Sequence, residues 1–330
     1  MGKLFIHATN IHQGGGKVLL DEIVKTNTFK GERVLLLDSR MLLTNQLSNT
    51  DCVKRVTPSV LQRFLGEWWL ARQVQPDDTV LCFGNLPPIF KLLGHVVVFV
   101  QNRYLLENIS LSKFAWKVRL RLHVERFWFR FKLGNVDQFI VQTPSMNVFM
   151  ESLIKSKFAK GISKNQHEKG NQLVKVLPFI DSIERYERMI KVSSLKAGSE
   201  FDFVYVASGE PHKNHRRLIE AWLLLAESGV FPSLCLTLDT VHCSELTEWI
   251  DEMIHCYKLN IMNVGMLTKQ DIVQLYGKSN ALIYPSTLES FGLPLIEARQ
   301  SGLAILASEL DYVRDIIDPE QSFDPKSATS

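Results

Sequence analysis

Short unbroken apolar runs recur along this chain, and each gives way to a turn and then to a longer segment of helical pattern. They fall near residues 4–10, 33–38, 79–83, 96–101, 137–142 and 174–177, and again near 203–207, 234–238, 281–284 and 304–307. A strand that reads as continuous apolar sequence is covered on both faces, and strands separated by helices pair in parallel. The expected fold is therefore α/β, with two Rossmann-like doubly wound domains. A chain of 330 residues also exceeds the usual single core. The polar, charged stretch at residues 181–200 marks a hinge, leaving residues 1–180 as a first domain and 201–330 as a second. Ligands of such open sheets sit beyond the carboxyl ends of the strands, so the sites of the two domains are expected to meet in a cleft.

Composition narrows the class further. Apolar residues make up 45% of the chain and the net charge is +3. Those values suit a soluble globular protein, and the charge is too small to argue for nucleic acid. No segment approaches the roughly 20 apolar residues of a membrane span. The start Met1-Gly2-Lys3-Leu4-Phe5 runs directly into a strand without a signal core, so a cytoplasmic location is expected. Cys52, Cys82, Cys235, Cys243 and Cys256 are odd in number and contain no Cys-x-x-Cys pair, which points to reduced thiols and no zinc site.

The chemistry is concentrated in the segment Tyr284-Pro285-Ser286-Thr287-Leu288-Glu289-Ser290-Phe291-Gly292-Leu293-Pro294-Leu295-Ile296-Glu297-Ala298. Pro285 and Ser286 stop a buried strand, and Pro294 stands at the first position of a helix that Gly302 would end. Unpaired amides near Phe291, Gly292 and Leu293, together with the positive end of a helix, favour phosphate. Glu289 and Glu297 are then free to accept hydrogen bonds from sugar hydroxyls, or else they are solvated helix-end carboxylates. Upstream, residues 203–222 read as strand, glycine turn at Gly209 and helix, with Lys213 just ahead of the helix, where an ammonium can neutralise a diphosphate. Near the amino terminus Gly14-Gly15-Gly16-Lys17 opens a helix after the first strand, and Gly15 and Gly16 allow close approach to an anion. Ile11 and Val18 break the G-x-x-x-x-G-K-[ST] spacing, and Leu19 breaks G-x-G-x-x-G.

The 284–298 string resembles the Glu-x7-Glu motif of the retaining family-4 glycosyltransferases of bacterial polysaccharide and lipopolysaccharide type, which have the GT-B fold. The match extends through Gly302-Leu303-Ala304-Ile305-Leu306-Ala307-Ser308. The resemblance implies that Glu289 contacts the donor sugar, that the amides of Phe291, Gly292 and Leu293 face sugar and diphosphate, and that Glu297 holds the ribose. It also assigns Lys213 to the leaving diphosphate and the glycine loop to the meeting point of donor and acceptor. Three departures stand out. Glu210 follows Gly209 where the family carries Arg, leaving Arg216 or Arg217 as substitutes. Asn102 and Arg103 occupy the region of a functional His, with turn formation as the other reading of Asn102. The chain stops at Ser330 soon after Phe323-Asp324-Pro325, before the family's final helix.

The implied function is a metal-independent hexosyltransferase that moves a sugar from a nucleoside diphosphate sugar, its co-substrate, to a saccharide or lipid-linked saccharide in O-antigen-like cell-surface polysaccharide biosynthesis. No other cofactor and no metal are expected. The chain has no Asp-x-Asp sequence, and His212 and His215 lack a third ligand nearby. The other-class reading is a sugar-nucleotide-binding protein without transfer activity. Residues 113–133 are basic and aromatic. At 100° per residue, Trp116, Leu120, Val124, Phe127 and Phe131 fall on one stripe and Val118, Leu122, Phe129 and Leu133 on another. One stripe can cover the sheet while the other meets an anionic membrane, which would make the enzyme peripheral on the inner face of the plasma membrane. A core helix with snorkelling arginines is the alternative.

Overall fold

The computed structural model describes residues 2–12, 14–25, 29, 31–43, 51–112, 114–158, 173–178 and 198–330. The chain divides into two compact units, Met1–Phe179 and Ile180–Ser330. Most of the stretch read as a hinge lies outside the described residues.

The first unit holds strands β1 (Leu4–Ala8), β2 (Arg33–Asp38), β3 (Asp51–Val56), β4 (Thr79–Cys82), β5 (His95–Phe99), β6 (Gln138–Val141) and β7 (Val174–Val176). They form one sheet in the order β3-β2-β1-β4-β5-β6-β7, parallel throughout. Its described helices are α1 (Gly14–Lys25), α2 (Val60–Gln73), α3 (Arg103–Leu106), α4 (Trp116–Phe131) and α5 (Pro144–Phe158). Alternate side chains of each strand feed opposite faces. Phe5, Val34, Leu36, Val80 and Val98 join Leu70 of α2 and Phe129 of α4 in one core, while Ile6, Ala8, Leu35 and Leu37 join Leu19 and Leu20 of α1 in the other. Burial on both faces is why the middle of β2, Val34-Leu35-Leu36-Leu37, reads as an uninterrupted apolar run; its charged ends, Arg33 and Asp38, are buried as well.

The second unit holds β8 (Phe201–Tyr205), β9 (Leu234–Leu236), β10 (Ile261–Asn263), β11 (Ser279–Tyr284), β12 (Ala304–Ser308) and β13 (Gln321–Phe323), in the parallel order β10-β9-β8-β11-β12-β13. Around it lie α6 (His215–Glu227), α7 (Ser244–Tyr257), α8 (Lys269–Gly277), α9 (Leu293–Gln300) and α10 (Asp311–Arg314). One continuous core joins Val204, Tyr205, Leu236, Leu282 and Ile305 of the strands to Leu218, Ile250 and Leu295 of the helices.

Every expected strand is present, most of them shorter than their apolar runs. Three strands were not expected, β3, β10 and β13, and each lies at a sheet edge. An edge strand needs no continuous apolar sequence: β3 reads Asp51-Cys52-Val53-Lys54-Arg55-Val56 and keeps only Val56 fully buried. Residues 116–131 are helical, as the 100° projection requires.

Candidate functional site

In both sheets the connection reverses direction beside the first strand. The reversal falls between β1 and β4 in the first unit and between β8 and β11 in the second. Such a switch point leaves a crevice at the carboxyl ends of the two strands, because their outgoing loops turn to opposite sides.

In the second unit, β8 exits through Gly209 into a short 3-10 turn, Pro211–Lys213, and then into α6. A side-chain carbon at Gly209 would sit 2.4 Å from Cys243 Sγ, so only glycine lets this loop lie against α7's first residues. Between turn and helix stands Asn214, with φ 62°, a left-handed conformation that asparagine tolerates better than most residues. Its Nδ2 donates to Pro285 O (3.2 Å) and Pro325 O (2.8 Å). His212 O accepts twice from Thr287, from its amide at 2.7 Å and from its hydroxyl at 3.1 Å. These bonds clamp the Lys213 turn to the loop that leaves β11.

The clamp brings Lys213 Nζ to 2.5 Å from Glu289 Oε1, with both side chains largely buried. The same oxygen accepts from Ser286 Oγ at 2.7 Å and from Tyr284 OH at 3.0 Å. Glu289 is therefore not the uncommitted carboxylate that the sequence led us to expect. Below it stand Tyr205, Tyr284 and Tyr312, packed edge to face, with Tyr205 OH donating to Lys213 O and Tyr312 OH to Ser286 O. Burial, and then the Glu289 charge, hold these three phenols well above the usual tyrosine range, so they remain neutral donors.

Phe291, Gly292 and Leu293 form the entry to α9. Gly292 has φ 79°, a left-handed conformation that favours glycine, and a side-chain carbon there would press on Leu295 Cδ1 at 3.0 Å. Pro294 is the second residue of this helix, one position later than expected. Glu297 stands one turn further on, half-buried. Burial raises its carboxyl above the ordinary glutamate range, an effect that Lys269 partly offsets.

Neither candidate for the missing arginine faces this site. Arg216 lies over the Trp249 ring (4.6 Å) and near Glu245, and Arg217 pairs with Glu220 on its own helix at 2.6 Å. The Glu210 carboxylate takes the hydroxyl of Ser208. His215 is buried with its ring against Tyr205, and burial pushes its pKa down to about 3. Among the described residues no group of three or more His, Cys, Asp or Glu is placed to hold a metal ion.

In the first unit the glycine loop follows β1 as expected. Gly14 has φ 69°, and a side-chain carbon at Gly16 would approach Ile11 Cδ1 at 3.2 Å and Gln101 Oε1 at 3.6 Å, so the first turn of α1 packs closely there. Gly15 is exposed at the start of α1. Lys17 is tied to Asp21 of its own helix at 2.8 Å. Asn102 forms the turn before α3, where its Oδ1 caps the helix through the Tyr104 amide at 3.1 Å and its own amide donates to Asn85 Oδ1 at 2.9 Å. Arg103 pairs with Glu107 at 2.7 Å and lies over the Phe149 ring. Sequence reading missed the buried pair of His7 Nε2 and Glu67 Oε1, 3.2 Å apart near the carboxyl end of β1. It also missed Tyr284 and Ser286, whose hydroxyls at five and three positions before Glu289 are the available signal.

Residues 187–330 match the model of the family described as glycosyl transferases group 1. That match covers most of the second unit. Among curated relatives, the O-antigen chain mannosyltransferase RfbU of Salmonella typhimurium is 22% identical over 273 residues, 83% of this chain and 68% of that protein. The O-antigen chain mannosyltransferase B of Escherichia coli is 27% identical over 121 residues, 34% of this chain. That match spans only 30% of the relative's own length. Among solved structures, Anabaena Alr3699/HepE in complex with UDP and glucose matches 99% of this chain and 87% of its own, with a TM-score of 0.63 at 16% identity. The architecture is thus GT-B, two parallel-sheet α/β domains.

Proposed function

We propose that this protein is a glycosyltransferase that moves a hexose-like sugar from a nucleoside diphosphate donor to a hydroxyl of a saccharide or lipid-linked saccharide, in the assembly of a cell-surface polysaccharide. The observation that carries the reading is the pairing of Lys213 with Glu289 at the switch point of the second sheet, beside the amide-rich entry to α9. In transfer the bond between the sugar and the diphosphate breaks, and negative charge grows on the leaving oxygen. Lys213 and the α9 amides are placed to meet that charge, each such contact contributing on the order of 3 kcal/mol at the transition state. Glu297, on the same helix, serves the ribose. Retention, with acceptor and leaving group on one face of the sugar, and independence of divalent metal complete the proposal. The polysaccharide assignment is supported by the relatives' names.

The first unit adds a reason to place the acceptor at a lipid surface. Leu122 and Phe129 of α4 are buried, whereas Trp116 (67% exposed), Leu120, Val124, Phe127 (71%) and Phe131 form an outward stripe. By 100° steps, Lys117, Arg121 and Lys132 line one side of it, with Arg119 and Arg130 on the other. On α2, Val60, Leu61, Phe64, Leu65 and Trp68 are exposed as well. The two helices are joined through residues 87–90: Trp128 donates to Pro87 O, and Phe64 packs against Phe90. Basic borders on both sides of an apolar stripe suit an anionic bilayer and would repel a second copy of the same face. Among the described residues no helix is long and apolar enough to cross a membrane.

The test is incubation of labelled UDP- and GDP-sugars with lipid-linked and free saccharide acceptors. A labelled product carries the reading. Nucleotide binding without product under any acceptor favours a binding protein instead.

A further inference from the structure

The Lys213 ammonium, assigned above to the diphosphate, is already neutralised by a carboxylate of the same unit. Lys213 Nζ and Glu289 Oε1 are 2.5 Å apart, with side chains 14% and 13% exposed. The two partners are held very differently. Glu289 Oε1 sits in a frame of two hydroxyls, Ser286 Oγ and Tyr284 OH. Ser286 and Tyr284 are themselves fully buried, the first fixed by Tyr312 OH on its carbonyl, the second by ring contacts with Tyr205 and Tyr312. Lys213 has a fixed backbone but a four-carbon arm with freely turning donors. If the pair parts, the ammonium is the member that moves.

We propose that Glu289 is the built-in counter-ion of Lys213, that a bound diphosphate draws the ammonium away from it, and that Ser286 and Tyr284 are positioning residues that hold the carboxylate through the exchange. The proposal rests on the reading of this site as a nucleoside diphosphate site. A diphosphate carries more negative charge than one carboxylate and offers more acceptor oxygens, so it competes well for an ammonium within reach. A buried carboxylate stripped of every donor is costly, but this one keeps two hydroxyl bonds. The exchange frees Glu289 from its cation at the moment a donor sugar arrives. It also makes the resting pair a competitor against weakly charged ligands.

The consequence is opposite to that of an ordinary binding residue: removing the Glu289 charge strengthens diphosphate binding while transfer falls. Calorimetric titration of UDP and of GDP into the parent, Glu289→Gln, Lys213→Met and the double variant reads this directly. Gln keeps the shape and an acceptor for both hydroxyls, so the fold is retained, as circular dichroism verifies. Glu289→Gln is expected to bind the preferred nucleotide roughly 3- to 30-fold tighter, Lys213→Met more weakly, and the double variant no tighter than Lys213→Met, because the gain depends on the freed ammonium. Equal or weaker binding by Glu289→Gln, or a gain that persists without Lys213, overturns the exchange and leaves the donor site standing. Binding of neither nucleotide by the parent overturns the donor site and the exchange together. For positioning, Tyr284→Phe keeps the ring contacts and is expected to lower kcat roughly tenfold with nucleotide affinity within about twofold of the parent. An unchanged kcat, or a loss confined to affinity, removes Tyr284 from that role.

Discussion

Asn214 joins the turn that carries Lys213 to the rest of the second unit, and its replacement separates backbone strain from hydrogen bonding. Asn214→Ala removes the bonds to Pro285 O and Pro325 O and forces a residue with φ 62° to be alanine. Two neutral hydrogen bonds contribute about 2 kcal/mol, and the left-handed conformation costs alanine about 1 kcal/mol more than asparagine, for a total near 3 kcal/mol. Asn214→Gly also loses both bonds but meets no steric penalty at that φ, so about 2 kcal/mol is expected. For a unit of this size each kcal/mol lowers Tm by roughly 2–4 °C, so thermal unfolding followed by circular dichroism resolves the two variants. Both should also lose about tenfold or more in kcat/KM, because the Lys213 turn is no longer clamped to the 285–288 loop. Stability within about 0.5 kcal/mol of the parent in Asn214→Ala would refute the clamp, and an order with glycine below alanine would refute the strain argument.

Burial raises the Glu297 carboxyl, so the folded protein binds that proton more tightly than the unfolded chain. Its stability contribution is therefore fully present below the unfolded value and is lost as pH rises through the raised folded one; Glu297→Gln is expected to flatten this part of the stability–pH curve, measured by urea unfolding, and to weaken nucleotide binding. A variant curve parallel to the parent's would contradict it. Transfer is expected to persist in EDTA, since Lys213 and helix-end amides meet the phosphate charge, and activity that returns only with Mg²⁺ or Mn²⁺ would contradict the proposed chemistry. Changing Arg119, Arg121 and Arg130 to Gln should reduce sedimentation with anionic vesicles while sparing transfer to a short soluble acceptor, each basic residue near the surface contributing about 1 kcal/mol. Vesicle binding that is absent from the parent at low salt, or that survives the triple change, would leave the stripe without a lipid partner.

How much of this was legible in the sequence depends on what kind of constraint each residue meets. β2 and β11 announced themselves because burial on two faces demands consecutive apolar side chains, at residues 34–37 and 281–284. β3 and β13 did not, since an edge strand keeps polar residues and its pairing is set by the neighbour. Gly292 and Gly209 were legible as turn residues, and the structure adds the reasons, a positive φ at the first and a close approach to Cys243 at the second. The second stripe of α4 followed from spacing alone, because a helix that packs on a sheet needs only one apolar face. The ionic partner of Glu289 was not readable. Lys213 lies 76 positions away, and only the adjacency of β8 and β11 in the sheet order brings it there. The capping role of Asn102 was half-legible, as asparagine before a short helix is a common cap whatever else it does.

The three phenols beneath the ion pair explain why the site can hold opposite charges so close to a core. Tyr205, Tyr284 and Tyr312 stay neutral because burial opposes their ionisation, and the Glu289 carboxylate opposes it further. They therefore add donors without adding charge, and two of the three direct those donors to backbone carbonyls, Lys213 O and Ser286 O, that fix the loops bearing the charged residues. A phenylalanine at any of these positions would preserve most of the packing and delete one donor. The loss would differ by position: at 205 and 312 a loop carbonyl is released, whereas at 284 the carboxylate itself loses support. Only the last acts on the reacting groups without moving the backbone, which is why Tyr284 separates chemistry from scaffold.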